Sequence, residues 1–148
     1  MQSPFMSEAL SEAQAAAARG EVPVGAVVVV DGRIVGRAGN ETRTLCDPSA
    51  HAEVQAIRQA CAALGQERLP GASLYVTLEP CAACAGVIAA ARIARLFYGA
   101  ADPKSGGVAH GARVFAHPQS HHVPEIYAGI AEAEGGALLR AFFASRRG

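Results

Sequence analysis

A chain of 148 residues, 51% hydrophobic and 18% charged, is long enough to bury a core as one domain over 1–148 and too apolar to stay disordered. No apolar run reaches the roughly 20 residues of a membrane helix, and the N-terminus lacks the charged-then-apolar pattern of a secretory leader, so the expectation is a cytoplasmic protein. Basic and acidic residues balance at 13 each, so bulk charge gives no sign of a nucleic-acid partner, although a local basic patch stays open. Lys104 is the only lysine; the remaining cations are arginines, which suit bidentate phosphate contacts but also follow from a GC-rich genome.

Ser3-Pro4 opens the chain as the N-cap and first-turn proline of a helix. Met6, Leu10, Ala13 and Ala17 recur at helical spacing, and Gly20 is a natural stop. Val22 to Val30 is an unbroken apolar run rich in β-branched residues, which reads as a buried strand. Asp31-Gly32 signals a hairpin turn, with Ile34 to Gly39 as the returning strand. Asp47-Pro48-Ser49 breaks the chain. Ala50 to Leu64 then reads as a helix whose apolar stripe is Val54, Ile57, Cys61 and Leu64. Leu74 to Leu78 is a short buried strand, Cys81 to Ala91 an alanine-rich helix, and Ile93 to Tyr98 another strand. A glycine-rich stretch spans Gly99 to Gly111. A last strand falls within His121 to Tyr127, weakened by Pro124. Leu138, Leu139, Phe142 and Phe143 form the apolar face of a closing helix. Strands alternating with helices predict an α/β layered domain. The sheet is mixed, because the first two strands form a hairpin and the later ones are joined by helices.

The chemistry-bearing residues are His51-Ala52-Glu53 and, further on, Pro80-Cys81-Ala82-Ala83-Cys84. One imidazole and two thiolates are a three-ligand set for tetrahedral zinc, which in catalytic sites keeps its fourth place for water. His51, Cys81 and Cys84 are the expected ligands, and Glu53 is the expected proton carrier. Cys81 and Cys84 are three apart and share one face of a helix start, where free N–H groups and the helix dipole favour thiolates. His51 and Glu53 are expected in the first turn of the other helix, so that two helix starts face one metal at the strand ends.

Simpler readings compete at this point. A lone C-x-x-C also suits a redox pair, half of a structural zinc site or two core thiols. A structural zinc needs a fourth ligand, for which Cys46, Cys61 and the later histidines are available. Cys61 shares a stripe with Ile57 and Leu64, which favours packing; Cys46 lies in a loop near the motif. A glutamate two residues from a histidine is, taken alone, an ordinary exposed helix charge.

H-x-E followed by P-C-x-x-C is the zinc deaminase signature. With Val22-Pro23-Val24-Gly25-Ala26-Val27, Asn40, Asp47 to Glu53, Leu74 to Cys81, Cys84-Ala85-Gly86, Asp102, Lys104-Ser105-Gly106, His117-Pro118 and Phe142-Phe143, the chain from Glu21 to Arg147 resembles the bacterial TadA family. These are tRNA-specific adenosine deaminases within the cytidine deaminase-like superfamily. The resemblance implies a three-layer cytidine deaminase-like domain, with a mixed central sheet of about five strands covered by helices on both faces. It implies a homodimer carrying one Zn2+ per subunit and acting on the wobble adenosine of a tRNA anticodon stem-loop, an arginine tRNA, with no DNA or membrane partner. The implied reaction is hydrolytic deamination to inosine by zinc-activated hydroxide, with Glu53 as proton shuttle. By the same resemblance Asn40 contacts the inserted base and the Ala52 backbone helps read its edge. Val22, Pro23, Val24 and Leu78 line the pocket, and Asp102, Lys104 and Ser105 lie on the anticodon-loop surface.

Taken without the family, Asn40 and Asp102-Pro103 are turn residues and Lys104 a solvated loop charge. His117, His121 and His122 are further metal-ligand candidates, and Arg140, Arg146 and Arg147 either meet phosphate or balance a helix C-terminus. The stretch from Gly107 to Arg113, with His110, departs from the family pattern. Two other functions remain. One is a small-molecule deaminase acting on guanine, cytosine or a nucleoside, which would close its pocket with its own C-terminal segment or a neighbour's. The other is a zinc-stabilised RNA-binding scaffold, which would fill the metal site with a fourth protein ligand.

Overall fold

A five-stranded mixed sheet organises the molecule, in the order β2-β1-β3-β4-β5. The computed structural model describes residues 3–147; Met1, Gln2 and Gly148, the ends of the expected 1–148 domain, lie outside the described residues. Helix α1 (Pro4–Ala18) starts as expected, with the Ser3 hydroxyl accepting from the Phe5 N–H at 3.2 Å. Strands β1 (Gly25–Val30) and β2 (Arg33–Gly39) form the hairpin. Its turn residues Asp31 and Gly32 have φ of 51° and 74°, the two positive values of a type I′ turn. Then follow α2 (Ala52–Leu64), β3 (Ser73–Leu78), α3 (Ala82–Ala90) and β4 (Arg95–Ala100). A 3-10 turn (Val114–Ala116), a three-residue β5 (Glu125–Tyr127) and α4 (Glu132–Arg147) complete the order. Strand β1 is antiparallel to β2 and β3, while β3, β4 and β5 run parallel.

Both faces of the central strands are covered, which is why they read as unbroken apolar runs. Ala26, Val28, Leu74, Val76 and Leu96 point to the side of α2 and α3, whereas Val27 and Val29 join Met6 and Ala9 on the side of α1. Helix α4 packs on β3 and β4 and touches α1. No helix among the described residues is long and apolar enough to cross a membrane.

Three expected helix faces differ from the observed ones. Helix α1 buries Met6, Ala9, Ala13 and Ala16, not Leu10 and Ala17. Strand β1 comes so close that a Cβ on Gly25 would overlap the Ala9 carbonyl, so the contact line takes only small residues and Leu10 turns to the rim. Helix α2 buries Ala52, Glu53, Val54, Ala56, Ile57 and Ala60; Cys61 is half-buried and Leu64 exposed, because Gly36 packs against the Ala56 carbonyl and turns the alanines inward. On α4 the inward line runs through Gly135, Leu139 and Phe142. Phe143, about 100° further round the helix, is 45% exposed.

Candidate active site

His51 and Cys81 are not in the first helical turns. Each is the N-cap of its helix, with extended ψ of 153° and 173°. At an N-cap the chain has not yet entered the helix, so the side chain reaches out beyond the helix end rather than along its wall. Cys84 follows in the first turn of α3 and Glu53 in the first turn of α2. The ends of β2 and β3 bring the two helix starts together.

The His51 Nδ1 atom lies 3.2 Å from Cys84 Sγ and 3.6 Å from Cys81 Sγ. All three donor atoms fall within 4.8 Å of one another. Tetrahedral zinc with ordinary Zn–N and Zn–S bonds separates its nitrogen and sulfur ligands by about 3.6 Å, so the donor set fits that ion in chemistry and in spacing. Among the described residues no fourth His, Cys, Asp or Glu joins the group. Cys46 is exposed and donates to the Arg43 carbonyl; Cys61 donates to that of Glu67. His110 faces Glu79, His117 accepts from the Gln119 N–H, His122 meets the Ile93 carbonyl, and His121 lies in a groove beside Glu67 and Arg68. The fourth-ligand candidates thus lie away from the three donors, which removes the structural-zinc reading for the described residues.

The three donor groups are electrostatically coupled. Hydrogen bonds from Cys84 and His51 hold the Cys81 thiol down to about 3. Cys84 moves the other way, raised by its contact with Cys81 and by burial, so the pair shares one proton. Contact with Cys81 raises His51. Glu53 is 4% exposed, and burial pushes its carboxyl above the ordinary range.

A cavity of about 150 Å³ opens over this group. Val22, Val24, Asn40, Leu78, Asp102 and Ser105 line it with His51, Glu53 and Cys81. Pro23 and Ala52 are buried and do not line it, Cys84 lies fully buried behind it, and Lys104 is exposed outside it. The Ala52 N–H, expected to read the base edge, donates to Asn40 Oδ1 at 3.2 Å. That contact ties Asn40 to the start of α2.

Glu79, given no role from sequence, also lines the cavity. It is 2% exposed and gathers the loop that follows β4. Its Oε1 accepts from the Asp102 N–H at 3.0 Å and lies 2.8 Å from His110 Nδ1. Its Oε2 accepts from the N–H groups of Val108, Ala109 and His110. Burial alone would raise this carboxyl, but the donors outweigh it and the net shift is downward. Gly106 and Gly107 let the loop lie flat against Glu79 and the start of α3, where a Cβ on either would collide. The only signal in the sequence was an acid closing a buried strand, since its partners lie 23 to 31 residues away.

A family model described as MafB19-like deaminase matches residues 2–147. The tRNA-specific adenosine deaminase of Agrobacterium fabrum (strain C58) is 59% identical over 143 residues, spanning 97% of this chain and 94% of that one. A structure solved in work on A-to-I editing by tRNA:A34 deaminases matches with a TM-score of 0.90 at 59% identity, covering 91% of this chain and 98% of that chain. The guanine deaminase of Bacillus subtilis matches at a TM-score of 0.65 and 33% identity, over 97% of this chain and 92% of that one. On the family model and on near-complete coverage at 59% identity, the chain belongs to the tRNA-specific adenosine deaminase family.

Proposed function

We propose that this chain converts the wobble adenosine of a tRNA anticodon loop to inosine, with release of ammonia. The observation that carries the reading is the convergence of His51, Cys81 and Cys84 with the buried Glu53 and with Asn40 around one cavity, in a chain 59% identical to a tRNA-specific adenosine deaminase. His51 Nδ1 and the two Sγ atoms would hold zinc, one ion per subunit. Bound there, zinc supplies the Lewis acidity that makes water a usable nucleophile near neutral pH.

Glu53 takes a proton from the attacking water as the bond to adenine C6 forms, and passes it to the ring nitrogen. A second proton leaves through the same carboxyl to the amino group, the C6–N bond breaks and ammonia departs. Burial raises the Glu53 carboxyl toward the range in which one group both accepts and returns a proton. Asn40 is fixed by its bond to the Ala52 N–H, and its side-chain NH2 makes no hydrogen bond among the described residues, which leaves a donor for the base. Val22, Val24 and Leu78 supply apolar walls, and Asp102 and Ser105 stand at the rim. The target base must leave its stack to enter, at about a few kcal/mol.

Among the described residues none of those lining the cavity comes from α4, so the chain's own C-terminal helix does not close the pocket, one of the two closures expected of a small-molecule deaminase, the other being a neighbour's segment. This supports an RNA loop over a free base. We further infer a cytoplasmic homodimer acting on an arginine tRNA, with Lys104 on the RNA-facing surface. The test is inosine formation in an arginine-tRNA anticodon stem-loop with adenosine at the wobble position. Free adenosine, cytidine and guanine are run beside it, with zinc quantified. Turnover confined to the stem-loop is expected. Turnover of a free base or nucleoside with the stem-loop untouched would move the chain to the small-molecule branch.

A further inference from the structure

A second groove, of about 370 Å³, is lined by Arg19, Gly20, Arg43, Thr44 and Arg146. The three arginines come from separate parts of the chain: the end of α1, the loop between β2 and α2, and the end of α4. Arg43 and Arg146 both donate to the Gly20 carbonyl, at 3.4 and 3.1 Å. Arg19 donates to the Asn40 carbonyl at 3.3 Å, which joins this groove to the cavity. The Arg146 guanidinium also stacks on the Phe142 ring, 4.6 Å from its centroid, and is held in place by that contact.

Among the described residues none of these three guanidiniums makes an ion pair. The fold pairs arginines elsewhere: Arg37 reaches Glu8 at 2.6 Å and Glu12 at 2.8 Å. The neighbouring acid, Glu21, is buried, its oxygens filled by the Thr44 N–H, the Thr44 hydroxyl and the Arg43 N–H. Each guanidinium carries five N–H donors and, among the described residues, bonds one carbonyl. The Glu21 carboxylate offsets part of their charge from the buried side and lies near Arg19, but three guanidiniums against one carboxylate leave an excess of positive charge, with unused donors, that an anion in the groove would offset. The groove is open rather than enclosed, which suits a phosphodiester on a polymer better than a small trapped anion.

We propose that this groove binds a backbone phosphate of the RNA beside the nucleotide being deaminated, with Arg43 and Arg146 as its ligands and Arg19 tying its position to Asn40. The proposal rests on the tRNA reading and gives a chain of zero net charge a local means of holding a polyanionic substrate: three of its 13 cations gather in one groove.

The test uses the zinc-loaded protein with Arg43→Gln, Arg146→Gln and the double variant. Inosine formation in the anticodon stem-loop is measured over a range of RNA and salt concentrations. Arg33→Gln, at the hairpin end of the sheet, controls for loss of one charge. The expected result is a raised KM with kcat at saturating RNA retained, and a salt slope of log(kcat/KM) reduced by about 1 for each phosphate that an arginine no longer neutralises. Arg43→Lys, which keeps the charge but not the fork, restores the salt slope and part of the KM. Thermal melts and zinc content matching wild type exclude misfolding. A double variant whose KM and salt slope match the Arg33→Gln control, while wild type deaminates the stem-loop, overturns the groove alone. A wild type that leaves the stem-loop untouched overturns the tRNA reading and the groove with it.

Discussion

Glu53 and Glu79 are buried carboxyls in one cavity, and the fold drives them in opposite directions. Glu53 is raised because burial is poorly compensated; Glu79 is lowered because its oxygens are saturated with donors. Opposed shifts within one site separate the residue that moves protons from the one that holds structure. Glu53→Ala is therefore expected to keep about one zinc per chain and lose roughly 10²–10⁴ in kcat; metal analysis with single-turnover inosine assays checks both, and undiminished turnover would remove Glu53 from the chemistry. Glu79→Gln is expected to act differently. An amide NH2 in place of either oxygen would face N–H groups that already point at it, costing about 1–3 kcal/mol. With the loop loosened, Asp102 and Ser105 lose their place at the rim, so KM rises more than kcat falls, and urea melts report the lost stability. An unchanged melt and KM would show that the loop holds itself. The sequence made Glu53 legible because it stands in a recognisable pattern of residue types, H-x-E followed by P-C-x-x-C. Glu79 was not, because only the folded chain brings Asp102 and Val108 to His110 to it.

At the scale of elements, hydrophobic pattern located the helices and strands but not the helix faces, and glycine explains the gap. Periodicity counts apolar residues, whereas the rotation of α1 and α2 is set by where the sheet lets a backbone approach. Gly25 and Gly36 are those places. The same limit set the start of α2 two positions early, at Ala50, and that of α3 one position early, at Cys81: an apolar run shows that a helix begins, while the switch from extended to helical ψ at the metal ligands is a tertiary fact. Two glycines give a contrasting test. A Cβ on Gly36 would overlap the Ala56 carbonyl and lie 3.1 Å from the Ala60 N, whereas one on Gly86 in α3 meets nothing within 4 Å. Gly36→Ala is expected to destabilise by about 1–3 kcal/mol through overpacking. It should also weaken zinc binding, since α2 carries His51 at its start. Gly86→Ala is expected to stabilise by roughly 0.5–1 kcal/mol, the helix-interior difference between the two residues. Urea midpoints for the two variants should move in opposite directions, and parallel movement would mean that the approach of α2 to β2 is looser than its geometry indicates.

For the molecule as a whole, pH dependence of stability follows from acids that the fold buries while they stay ionised, and Glu21 is the clearest. It follows the turn after α1 and holds the β2–α2 loop through Thr44 Oγ1 and the N–H groups of Arg43 and Thr44. It thereby links the first helix to the segment that delivers His51. Burial raises the Glu21 carboxyl, but the hydrogen bonds from Thr44 and Arg43, with the nearby charge of Arg19, outweigh it and bring it below the ordinary 4.5. A carboxyl lowered by folding binds its proton more readily in the unfolded chain. Its contribution is thus fully present above about 4.5 and is lost as pH falls through the lower folded value. Glu21→Gln is expected to cost about 1–3 kcal/mol at pH 7, where charged-acceptor hydrogen bonds are lost. Protonation of the metal ligands in acid weakens wild type and variant alike, so it cancels in their difference. Urea unfolding of both proteins from about pH 7 down to about pH 3 should therefore show the gap between them shrinking once the pH falls below the ordinary carboxyl value of 4.5. A gap that stays constant across that range would mean that Glu21 holds the loop equally well in its protonated form.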